Sequence, residues 1–72
     1  MALDEEELLE WVREQDAMLA ELERLLLLMR GAAEEAASPW TTAARRRELQ
    51  QDVDAWNREA AVLYGKLYPP GH

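Results

Sequence analysis

LLEWVREQDAMLAELERLLLLM, residues 8 to 29, decides the fold. Its apolar residues Leu8, Val12, Leu19, Leu22, Leu26 and Met29 recur four and three positions apart, and Gln15 is the one polar residue in that row. A second row, Trp11, Met18 and Leu25, lies beside the first and widens the stripe. This is the periodicity of an amphipathic helix, which cannot bury such a face alone and needs a partner.

Upstream, Asp4 has the chemistry of an N-cap, and Glu7 stands at the capping-box spacing. Glu5, Glu6 and Glu7 fall where the helix dipole favours negative charge. Met1 to Leu3 are expected to fray. Downstream, Gly31 offers a possible left-handed cap. The helix-forming run Ala32 to Ala37 argues instead for continuation to about Ala36, with Gly31 costing about 1 kcal/mol. Ser38-Pro39 makes the break, serine as an N-cap and proline as the first residue of a second helix over about 39–67. The stripe of that helix is Leu49, Val53, Trp56, Ala60, Leu63 and Leu67. Residues 68–72, with Pro69-Pro70 and the lone His72, read as an extended tail.

The expected fold is all-α, a single-domain antiparallel hairpin with its turn at about 37–39. Folding back there pairs Leu8 with Leu67, Val12 with Leu63, Gln15 with Ala60, Leu19 with Trp56, Leu22 with Val53 and Leu26 with Leu49. Such a seam leaves the Trp11, Met18 and Leu25 row outside it, with Leu28 beside them. A contiguous apolar row of this kind marks a protein interface. These four residues are therefore the expected contact of a homodimer, two hairpins forming a four-helix bundle.

Composition narrows the function classes. Seventy-two residues with a net charge of −7 argue against nucleic acid as a partner, because phosphate contacts need a cationic surface. The longest uninterrupted apolar run, Leu25 to Met29, is far below the roughly 18–20 residues of a membrane span. The acidic N-terminus lacks the basic region of a signal peptide, so the expected location is cytoplasmic, with no membrane partner. With no cysteine and one histidine, neither a thiolate metal site nor a Glu-x-x-His di-metal bundle can be built. No cofactor is expected.

Two stretches carry potential chemistry. Arg45-Arg46-Arg47 is the one basic cluster, in a half of the chain that is otherwise near neutral. Consecutive helical residues point in different directions, so the main expectation is neutralisation of the acidic first helix, with phosphate or an acidic partner as the sharper reading. The other stretch is Leu49-Gln50-Gln51-Asp52-Val53-Asp54. It resembles the Ser-Gln-Glu-Leu-Asp signature of the small stage-zero sporulation phosphatases, helical hairpins that dephosphorylate the aspartyl phosphate of a response regulator. Gln51 and Asp54 match that signature, while Gln50, Asp52 and Val53 replace its serine, glutamate and leucine. The resemblance implies Asp54 and Gln51 as catalytic residues and a response regulator as partner. A looser resemblance, through leucine-rich amphipathicity alone, is to export chaperones that hold a partner helix in a groove. The primary expectation is a small acidic interaction or regulatory protein that self-associates, binds protein through helix faces and performs no catalysis of its own.

Overall fold

Asp4 caps the first helix: its side chain accepts a hydrogen bond of 2.8 Å from the Glu7 backbone N–H. That satisfies one of the donors a helix start leaves unpaired. In the computed structural model, which describes residues 4–69, α1 then runs Glu5–Ala37 and α2 runs Ala43–Leu67. The two helices pack against each other, and no strand is present among the described residues. The expectations for Met1 to Leu3 and for Pro70 to His72 lie outside those residues.

Gly31 does not end α1, and no glycine has a positive φ among the described residues. The Ala-Glu run after it supplies enough helix propensity to carry the chain through.

The second helix starts at Ala43, four residues later than the expected Pro39. Proline disfavours the helical region for the residue before it, and Ser38 is extended with ψ 135°. Ser38 therefore opens a turn instead of a helix. Its Oγ accepts from the Trp40 backbone N–H at 3.3 Å, and its carbonyl accepts from Thr41 N–H at 3.2 Å. Thr42 becomes the N-cap, its hydroxyl accepting from Arg45 N–H at 3.1 Å.

Moving the start of α2 moves the register. Leu22 lines a groove with Ala60 and Tyr64, seven positions beyond the expected Val53. Val53 and Leu49 instead share a groove with Met29, Ala32 and Ala36. Large side chains on one helix thus sit near alanines on the other, Leu22 by Ala60 and Leu49 by Ala32. That complementarity lets the helices approach closely. The stripe expected on α2 lies in the seam: Leu49 is buried, and Val53, Trp56, Ala60, Leu63 and Leu67 are half-buried. On α1 the seam is rotated toward the second row. Leu25 is 0 % exposed, Ala32 is buried, and Met18, Leu22, Met29 and Ala36 are half-buried.

Candidate interaction surface

The rotated seam changes which residues are free. Leu25, expected in a row left for a partner, is the most completely buried side chain of the described residues. Met18 and Leu28 are half-buried, so of the four expected contact residues only Trp11 is exposed. The hairpin consumes the Met18–Leu25 part of that row itself. What it leaves is the other row: Leu8, Val12, Leu19 and Leu26 are all exposed.

Helix length adds to this. α1 has 33 residues and α2 has 25, so about one two-turn segment of α1 projects past the end of α2. Leu8, Leu9, Trp11 and Val12 fall in that projection, where no second helix covers them.

The two broad faces of the hairpin differ in character. On one, Leu26 shares a groove with Asn57, Ala61 and Tyr64. Leu19 and Val12 precede Leu26 by seven and fourteen positions and so continue the same side of α1. Tyr64 and Tyr68, one turn apart, extend that face on α2 with ring centroids 4.8 Å apart and tilted by 44°. On the opposite face, Glu21, Arg24, Glu59, Val62 and Leu63 line a second groove, with charged groups at its rim. Arg24 is hydrogen-bonded to Glu21 there, holding the Glu21 carboxyl below its ordinary range, and the charge of Glu59 acts on Arg24 from across the seam. Both faces thus offer apolar surface, and the second also carries the Arg24–Glu21 ion pair and the Glu59 carboxylate.

The arginine cluster serves the hairpin tip. Arg45 grips Glu35 with two hydrogen bonds, 2.6 and 3.0 Å, and reaches Glu48 at 3.2 Å. Those bonds lower the pKa of the Glu35 carboxyl and raise that of the Arg45 guanidinium. Arg46 donates to the carbonyls of Ala36 at 3.0 Å and Ser38 at 3.2 Å, two acceptors that the end of α1 leaves without helical partners. Thr41 adds a third tie, its hydroxyl donating to the Glu35 carbonyl. At the apex, Trp40 is 90 % exposed.

Gln51 and Asp54 are exposed on α2. Gln50 and Asp54 share an outward edge, and the Gln50 amide donates to the Asp54 carboxylate at 2.9 Å. Among the described residues there is no cluster of histidine and carboxylate side chains arranged to hold a metal, and no helix long and apolar enough to cross a membrane.

The periodicity of α1 left both rows available, and the Thr42 cap sets only where α2 begins. A threonine pair three residues before Arg45 was the signal for the later cap. No family model, no curated protein and no solved structure matches this chain.

Proposed function

We propose that this chain is an interaction module: an acidic helical hairpin that associates with itself and engages protein partners through its helix faces, forming a four-helix bundle as its first assembly. The observation that carries this reading is the area left exposed. The hairpin exposes 5986 Å². A folded monomer of 8.3 kDa exposes about 4,600 Å² by the usual mass scaling, so roughly 1,400 Å² is in excess. A standard protein interface covers about 800 Å² on each partner. The radius of gyration, 17.1 Å, also exceeds the roughly 11 Å of a compact domain of this length. Among the described residues only Leu25, Ala32 and Leu49 are buried. A single layer of two helices 13 Å thick has no second layer to complete a core.

Sedimentation equilibrium tests this directly. A dimer of twice 8.3 kDa at micromolar concentration is the expected result. A folded monomer at millimolar concentration would contradict it.

The catalytic alternative, an aspartyl-phosphate phosphatase using Asp54 and Gln51, stands behind the first reading for a geometric reason. Asp54 already accepts from Gln50 on its own helix, so it must release that bond to orient a water toward a partner's acyl phosphate. Phosphate loss from phosphorylated receiver domains, abolished by Asp54→Ala with helicity unchanged, would promote this alternative.

A further inference from the structure

The apolar face and the charge of the two helices together specify how a second copy docks. We propose that the Leu19, Leu26 and Tyr64 face is covered by the same face of a second chain, related by a two-fold axis parallel to the helices. In that arrangement α1 of each copy lies on α2 of the other, and both tips point the same way. This rests on the self-association proposed above and adds its face and its orientation.

Three observations carry it. First, the face is broad and continuous across both helices: Leu26, Ala61 and Tyr64 border one groove, and Leu19 and Tyr68 extend it. Leu19, Leu26, Tyr64 and Tyr68 are between 44 and 58 % exposed, so each has surface left to bury. The opposite face holds Glu21, Arg24 and Glu59, whose charges would have to be desolvated in a close contact.

Second, the excess exposed area matches one copy. Roughly 1,400 Å² per chain is more than the ~800 Å² a standard interface takes, and it suits the larger, apolar interfaces of obligate homodimers. A two-fold pairing covers equivalent surfaces on both chains.

Third, charge selects the orientation. α1 carries ten carboxylates and three arginines, whereas α2 carries four carboxylates and five cations. Stacking α1 on α1 would set two strongly acidic helices side by side, while α1 on α2 avoids it. The register supports the same choice. The Glu59 charge acts on Arg24 across the seam, so position 23 is level with the turn that contains Arg58. An axis parallel to the helices preserves that level. Glu23, on the rim beside Leu19 and Leu26, then meets Arg58 of the second copy.

The test uses the full chain, which contains no cysteine to interfere. Leu26→Glu with Tyr64→Glu is expected to abolish the dimer in sedimentation, whereas Val62→Glu, on the charged face, leaves it intact. Dissociation by Val62→Glu with retention in the double variant would overturn the face. Because the double variant can fail by unfolding, orientation is read on folded protein. Chains carrying Glu23→Cys and chains carrying Arg58→Cys are refolded together and oxidised. The mixed disulfide is expected to exceed either homodisulfide several-fold. Predominance of the 23–23 product, or a dimer that yields no mixed product, would overturn the orientation while leaving self-association standing. A monomeric wild-type chain would instead remove the reading on which this rests.

Discussion

Leu25 shows how far single residues could be read from the chain. Periodicity marks it as apolar and helical, but two parallel rows on α1 are equally apolar, and nothing in their spacing says which one the second helix takes. The structure places Leu25 at 0 % exposure. Leu25→Ala should therefore be the most damaging single truncation, costing about 2–5 kcal/mol through lost burial and the cavity left behind. Denaturant titration would show it. A cost below ~0.5 kcal/mol, typical of surface positions, would mean that Leu25 does not lie in the seam. Gly31 makes the opposite case. It lies inside α1 with helical φ, and a Cβ added there meets nothing within 4 Å. Gly31→Ala should stabilise by about 0.4–1 kcal/mol, mostly by narrowing the unfolded ensemble. For a chain this short that is a rise of several degrees in melting temperature.

At the scale of elements, the two helices and the break after Ala37 follow from local chemistry: the Asp4 cap, the amphipathic run and the Ser38-Pro39 dipeptide. The start of α2 did not follow, because serine before proline suits a helix N-terminus as well as it suits a turn. The carbonyls at the end of α1 settle the choice. Arg46 and Thr41 satisfy them only if the chain turns through residues 38–42 before it becomes helical again. Arg46→Ala should consequently destabilise by about 1 kcal/mol, the scale of an exposed charged hydrogen bond, and should speed amide exchange at the end of α1 before elsewhere.

The Arg45–Glu35 pair adds a pH dependence with a definite sign. Hydrogen bonds from Arg45 hold the folded Glu35 carboxyl below its ordinary value of 4.5. Its stabilising contribution is thus fully present above that ordinary value and is lost as pH falls through the lower folded value. The gap in melting temperature between wild type and Glu35→Gln should narrow from pH 6 toward pH 3. A gap that stays constant over that range would show that the pair does not couple to folding.

For the whole molecule, the decisive quantity is the register. Shifting Leu22 from Val53 to Ala60 strands the first turns of α1 beyond α2, and the rotation of the seam toward Leu25 leaves the Leu8, Val12, Leu19 and Leu26 row outward. That one hairpin leaves apolar residues uncovered was legible in the two apolar rows of α1. Which row would be left uncovered was not, since both rows of α1 are apolar at the same helical spacing. With only three of the described residues buried within one chain, folding and association should be a single event. The measurement that tests this most directly is the melting temperature of the wild-type chain, followed by circular dichroism across a hundredfold range of protein concentration. The midpoint is expected to climb steadily with concentration, as mass action requires when the folded species is a dimer. A midpoint independent of concentration, with full helicity at the lowest concentration, would contradict it.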